Sequence, residues 1–115
     1  MPISYEQIIE ACRPILEGVG FHETGSRRER RFITAYQVWP ELKSQQNPIC
    51  QGLIAECGGD FVGKDAGSNV GPAQKIAQAL GHCADIETQY LDTRWVQFDG
   101  KNPSGPDCGL FRLKS

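Results

Sequence analysis

Four arginines lie within five consecutive positions and form the densest group of charged side chains in the chain. Arg27, Arg28, Arg30 and Arg31 flank Glu29. We predict a helix from about Arg27 to Trp39, which would place these cations at the positive end of the helix dipole, where acidic residues are favoured. That arrangement is tolerable where the arginines meet an anionic partner. The alternative is that the helix begins later and that the arginines are solvated coil, as charge runs usually are.

Three further groups of polar residues have types that could do chemistry. They are the pair His22–Glu23, the pair His82–Cys83 and the triplet Asp92–Thr93–Arg94. The two pairs lack the further ligands or partners that a metal site or a catalytic constellation requires. The triplet is the one compact set that could line a pocket, and a salt-bridged turn is its simpler interpretation. We therefore predict no catalytic residue, no metal ligand, no cofactor and no enzymatic activity.

A glycine-rich stretch between residues 58 and 71 partly fits a phosphate-binding loop. Gly58, Gly63 and Lys64 match the G-x-x-x-x-G-K portion of that motif, but Asp65 stands where a Ser or Thr would hold magnesium. The residues before it have helical spacing, whereas the motif follows a strand. A connector is the favoured interpretation. An anion site at the start of the following helix, near Asn69, is the other one.

The bulk composition describes one ordinary domain. The chain has 115 residues, a hydrophobic share of 39%, a charged share of 23% and a net charge of −2, so the whole chain carries no general attraction for nucleic acid. Its five cysteines form no CxxC pair and no zinc spacing, which indicates a reducing compartment. No signal peptide or membrane span is evident, so we expect a cytoplasmic protein that does not enter the membrane.

The hydrophobic periodicity predicts an α+β fold, helical in its first two thirds and ending in a short antiparallel hairpin. Ser4 and Gln7 fit a capping box for the first helix, which we expect to kink near Pro14. The remaining elements are helices after Asn47–Pro48 and over residues 69–81, a break at Trp39–Pro40, and strands over 86–91, 95–98 and 108–113.

This order of elements resembles a winged helix-turn-helix module over roughly residues 32–115. The resemblance implies DNA binding, with Ala73–Leu80 as the recognition helix and Asp99–Asp107 as the wing. The connector before the helix is longer than the turn of a helix-turn-helix. The side chains that would form the nucleic-acid surface are Arg27, Arg28, Arg30, Arg31, Gln74, Lys75, Gln78, Arg94, Lys101 and Arg112.

A small protein-interaction or oligomerisation module is the alternative function. Trp39, Tyr90 and Trp95 are aromatic residues that we expect to be exposed, and a last strand over Leu110–Leu113 could leave an edge for pairing with a protein partner or a second copy. Small single-domain chains of this kind are also common among the cargo proteins of bacterial mobile elements, an analogy of size alone.

Overall fold

The computed structural model describes residues 3–24, 27–63, 70–98, 100–103 and 105–114, and only the backbone of 21–24 and 27–29. It confirms an α+β fold in which helices precede a C-terminal antiparallel sheet. The described elements are the helices α1 (Tyr5–Glu17), α2 (Ala35–Ser44), α3 (Ile49–Cys57) and α4 (Pro72–Gly81), and the strands β1 (Phe21–Thr24), β2 (Arg27–Arg30), β3 (Ile86–Asp92) and β4 (Asp107–Leu113).

The first helix begins with the predicted capping box. The Ser4 hydroxyl accepts from the Gln7 amide at 3.2 Å, and the Gln7 side chain accepts from the Ser4 amide at 2.9 Å. α1 runs through Pro14 to Glu17 as one helix. Pro14 cannot donate to the Glu10 carbonyl, but the loss of this single hydrogen bond does not divide the helix.

The predicted helix from Arg27 to Trp39 is wrong in its first half. Residues 27–30 form β2, which pairs antiparallel with β1 so that Phe21 lies opposite Arg30 and Thr24 opposite Arg27. The pair His22–Glu23 thus lies on a strand, β1. Two strands separated by two residues, Gly25 and Ser26, have the spacing of a tight hairpin, a local signal that competes with the helical period further along the chain.

The second helix also differs from the prediction, because it continues through Trp39–Pro40 without a break. Val38, Trp39 and Leu42 are all buried, with 0–1% of their surface exposed. Burying this face outweighs the backbone hydrogen bond that Pro40 cannot make. Trp39 was expected to be an exposed interaction residue, and that expectation is wrong.

The fourth helix lies at the centre of the fold. α4 packs against α1, α2, α3 and both strands of the C-terminal sheet. It begins at Pro72 with Gly71 as its N-cap, so the predicted start at residue 69 is wrong, whereas the predicted end at Gly81 is correct. The preceding helix, α3, begins beside Asn47–Pro48 and ends at Gly58, whose backbone is left-handed (φ 82°).

The C-terminal sheet consists of β3 and β4 in an antiparallel register that places Thr88 opposite Phe111. On its other side Phe111 exchanges backbone hydrogen bonds of 2.8 and 2.9 Å with Ile33. β4 therefore has a neighbour on both sides at Phe111, whereas β3 pairs only with β4 among the described residues. The predicted strand at 95–98 is not formed, because these residues belong to the loop that joins β3 to β4.

Within the described parts of the chain, every helix is too short or too polar to cross a bilayer.

Candidate protein-interaction surface

Trp95 is the most exposed large apolar side chain in the described residues. It is 95% exposed, whereas Trp39 is 1% exposed. Its backbone is left-handed, with φ at 62°. A bulky side chain seldom adopts this conformation, because its Cβ crowds the neighbouring carbonyl, and the strain costs about 1–2 kcal/mol. Neither the backbone strain nor the exposed ring is compensated by burial in the free protein.

Trp95 lies on the loop that joins β3 to β4, residues 93–106. We use the name wing for this whole loop, which is longer than the Asp99–Asp107 expected from the sequence. Its two ends are joined by hydrogen bonds from the Thr93 amide to the Pro106 carbonyl (3.1 Å) and from the Thr93 hydroxyl to the Gly105 carbonyl (2.6 Å). Further along, Phe98 and Lys101 exchange backbone hydrogen bonds of 2.9 Å. These bonds fix the base of the wing, so the exposure of Trp95 is not the result of an unbraced loop.

Two contacts attach the wing to the helical part of the protein. The ring of Phe98 stacks on Tyr36 of α2, with centroids 4.9 Å apart and planes 7° from parallel. On the other side, Gly63 lies so close to the Asn102 carbonyl that an added Cβ would overlap with it. The wing is therefore packed against both α2 and the segment after α3, and Trp95 projects from a braced scaffold.

A cleft of about 620 Å³ opens within the wing next to Trp95. Its walls include Val96, Pro103 and Pro106, with Gln97 and Asn102 as polar members joined by a 3.0 Å hydrogen bond. Arg94 borders the same cleft, and its guanidinium lies 5.3 Å from the centre of the Trp95 ring. An indole beside a concave surface of mixed polarity has the chemistry of a contact with a protein.

Tyr90 is a second exposed aromatic residue of the same hairpin, outside the lining of the cleft. It lies on β3, two positions before the strand ends, and is 71% exposed. It faces Gly109 of β4, which has no side chain to cover it. The expectation of exposed aromatic residues is thus correct for Tyr90 and Trp95, which follow one another on the same hairpin.

The basic residues that we predicted as a nucleic-acid surface have mostly local partners. Arg30 donates to the Glu17 and Val19 carbonyls at 2.9 and 3.2 Å, and Lys75 lies 3.5 Å from Glu56. Arg112 pairs with Glu87 at 2.9 Å, covers the Phe32 ring at 4.3 Å and donates to the Arg30 carbonyl. Arg31 and Lys101 are exposed. The structure describes only the backbone of Arg27 and Arg28.

The helix that the winged-helix resemblance assigns to base readout is largely enclosed. Gln74 is exposed, but Lys75 and Gln78 are half-buried, and Ala73, Ile76, Ala79 and Leu80 are buried. A helix that enters the major groove needs an uncovered face. The packing of α4 against all three other helices leaves it little of one.

The remaining candidates for chemistry have structural partners where they are described. Asp92 and Arg94 form a salt-bridged turn with a 3.0 Å contact, and the hydrogen bonds from Arg94 lower the pKa of that carboxyl. The ring of His82 contacts that of Tyr5, with centroids 4.8 Å apart and planes tilted by 34°, and its Nδ1 lies 2.7 Å from the Gln78 carbonyl. Burial, with a smaller contribution from Cys50, raises the pKa of the Cys12 thiol to about 12, so this thiol is protonated at neutral pH.

Sequence reasoning missed the residues that position the wing. We predicted the loop from Asp99, but it begins at Thr93, and its braces are Thr93, Phe98 and the contact between Gly63 and Asn102. Phe98 was predicted to lie in a strand over residues 95–98. The separation between Gly63 and Asn102 along the chain is too large for a local pattern to indicate their contact.

Comparison with protein-family models, curated proteins and solved structures gives no match in any of the three.

Proposed function

We propose that the protein is a small protein-binding module that contacts its partner through Trp95, Tyr90 and the wing cleft. The observation that carries this proposal is the state of Trp95, which is 95% exposed and left-handed while the loop around it is braced. Tryptophan is among the residues that contribute most to the energy of protein interfaces. Strained backbone is also concentrated at functional sites.

The energetics favour an interface over a structural role. An indole that is almost fully exposed buries little apolar surface on folding, so it does not appreciably stabilise the free protein. Burying the same ring against a partner removes a large apolar surface from water. The benefit of Trp95 therefore arises in a complex.

A protein partner fits the electrostatics of this surface better than a nucleic acid does. Arg94, which borders the cleft, is already paired with Asp92, and the chain carries a net charge of −2. Binding to phosphates depends on cations that are free to replace counterions. The aromatic residues, rather than the charges, are the unsatisfied groups at this surface.

Photo-cross-linking from position 95 tests the proposal. Benzoylphenylalanine replaces Trp95 in one variant and Gln51, an exposed residue on α3, in the control variant. We expect a discrete cross-linked product from position 95 only. Excess wild-type protein should suppress this product. The Trp95→Ala protein should need a concentration about thirty times higher for the same suppression, because Trp95 would dominate the interface. A product of equal yield from both positions, or equal competition by the two proteins, would refute the proposal.

The DNA-binding hypothesis stays a prediction with its own test. Fluorescence anisotropy of a mixed-sequence duplex, titrated with protein at low and near-physiological salt, would show binding that weakens linearly in log salt if cations neutralise phosphates. An unchanged anisotropy even at low salt would refute this hypothesis.

A further inference from the structure

The open edge of β3 presents backbone groups that are not used by the fold. The Lys114 amide donates to the Asp85 carbonyl at 2.9 Å, and the Thr93 amide donates to the Pro106 carbonyl at 3.1 Å. These two pairs lie immediately beyond the ends of the β3–β4 register. Hydrogen-bonded and non-hydrogen-bonded pairs alternate in an antiparallel ladder. The odd-numbered residues of β3 therefore bond to β4, and Thr88 and Tyr90 direct their N–H and C=O groups away from it.

The opposite strand confirms this alternation. Phe111, which faces Thr88, exchanges its backbone hydrogen bonds with Ile33 on the far side of β4. The pair Thr88–Phe111 is thus a non-hydrogen-bonded pair, as the alternation requires. No hydrogen bond from another described residue reaches the outward groups of Thr88 or Tyr90.

Few features of the edge oppose pairing with another strand, since its two charged residues, Glu87 and Asp92, are paired with Arg112 and Arg94. Its sequence, Ile86-Glu-Thr-Gln-Tyr-Leu-Asp92, contains no Lys, Pro or Gly, and its register with β4 continues without a bulge. Proteins that remain monomeric usually protect such an edge by one of these means. Gln89 and Tyr90, at its middle, are exposed.

The geometry points to a second copy of this chain as the occupant of the edge, paired antiparallel through β3 to form a continuous four-stranded sheet. This inference rests on the proposed function, because it names the partner of the same surface. A two-fold axis at Gln89 places Thr88 opposite Tyr90 of the second copy, and each such pair exchanges both of its backbone hydrogen bonds. The free groups on the two edges are therefore matched to one another.

The charges along the strand agree with this arrangement. Glu87 would lie opposite Leu91 of the second copy, so the two Glu87 side chains do not meet, and each is already paired with Arg112 at 2.9 Å. Arg94 and Asp85, which would come side by side at each end of the shared edge, are each paired within their own chain, with Asp92 at 3.0 Å and with Arg13 at 3.9 Å. Neither would therefore be an uncompensated charge beside the second copy. The same arrangement brings the wing that carries Trp95 next to the second copy.

Sedimentation equilibrium of the wild-type chain and two variants at position 90 tests the pairing. Tyr90→Ala removes the side chain and keeps the outward N–H, whereas Tyr90→Pro removes both. Proline is compatible with an edge position whose N–H makes no bond within the sheet. We expect a monomer–dimer equilibrium for the wild type. The dissociation constant of Tyr90→Pro should exceed that of Tyr90→Ala by about tenfold or more, because symmetry removes the hydrogen bond twice. Equal constants would overturn the inference.

Disulfide cross-linking gives a second measurement that does not depend on the proline variant folding. Across the two-fold axis the two Gln89 residues form a non-hydrogen-bonded pair, with Cα atoms about 4.5 Å apart, which is within reach of a disulfide. Under mild oxidation Gln89→Cys should form a covalent dimer at several times the yield of Gln51→Cys or of the wild type with its own cysteines. Equal yields, or a wild-type chain that sediments only as a monomer, would overturn the inference. Cross-linking from position 95 to a different protein would then leave the proposed function standing and refute only the second copy.

Discussion

The carboxylate of Asp60 satisfies the one polar atom of Trp39 and is the place where a single substitution should test the core most sharply. The indole Nε1 donates to Oδ1 of Asp60 at 2.8 Å, and Lys43 donates to Oδ2 at 2.9 Å. Trp39 is 1% exposed, and Asp60 is the acceptor that its indole N–H has in the structure. We therefore expect Asp60→Ala to destabilise the fold.

The magnitude follows from the two interactions that are lost. A buried donor without a partner costs about 1–3 kcal/mol. The ion pair between Lys43 and Asp60 is more than a third exposed on both sides, and such pairs contribute about 0.2–1 kcal/mol. Asp60→Ala should thus lower the free energy of unfolding by about 2 kcal/mol, which corresponds to a fall in Tm of roughly 8 °C for a chain of this length.

Asp60→Asn is the matched control, because its amide oxygen still accepts from the indole while its charge is gone. We expect a loss of less than about 1 kcal/mol for this variant. Urea unfolding followed by far-UV circular dichroism measures both values under identical conditions. If Asp60→Ala and Asp60→Asn differ by less than about 0.5 kcal/mol, satisfaction of the indole N–H by Asp60 does not stabilise the core in the way argued here.

Three further predictions concern acid stability, the wing and Trp95. Burial raises the pKa of Asp60, but hydrogen bonds from Lys43 and Trp39 outweigh it, so the pKa is lowered overall. This carboxylate therefore stabilises the fold above its ordinary pKa and ceases to do so as pH falls through the lowered value. Between about pH 5 and 2 the wild type should lose more stability than Asp60→Asn. An equal loss of unfolding free energy in the two proteins, measured in urea across this pH range, would contradict this. Gly63→Ala should cost about 2 kcal/mol or more, because the added Cβ overlaps the Asn102 carbonyl at a left-handed position (φ 59°). Gly100 is also left-handed but has open space around it, so Gly100→Ala should cost about 1 kcal/mol. Equal urea midpoints for Gly63→Ala and Gly100→Ala would show that the contact between Gly63 and the wing does not stabilise the protein. Trp95→Asn should be about 1 kcal/mol more stable than Trp95→Ala in thermal melts, because asparagine tolerates the left-handed backbone; a less stable asparagine variant would argue against strain at this position.

The contrast between the two tryptophans shows how far sequence reasoning reaches here. Trp39 and Trp95 both follow apolar or basic neighbours and were both expected to be exposed, yet one is buried beneath Asp60 and the other is almost fully exposed. Periodicity identifies residues that share a face of an element. It does not say which other element covers that face, because the covering residues are distant in the chain.

The sequence by itself determined the elements whose signals are local. The capping box of Ser4 and Gln7, the proline in the first turn of α4, the glycine after α3 and the strand that begins at Ile86 each depend on neighbouring residues, and the structure has all four. The tertiary structure alone decided the continuation of α2 through Pro40, the pairing of Phe111 with Ile33 and the open edge of β3. It also decided that Gly63 and Phe98 would brace the wing that exposes Trp95. Each of these features depends on contacts between distant segments, whose burial can outweigh a local preference of a few kcal/mol.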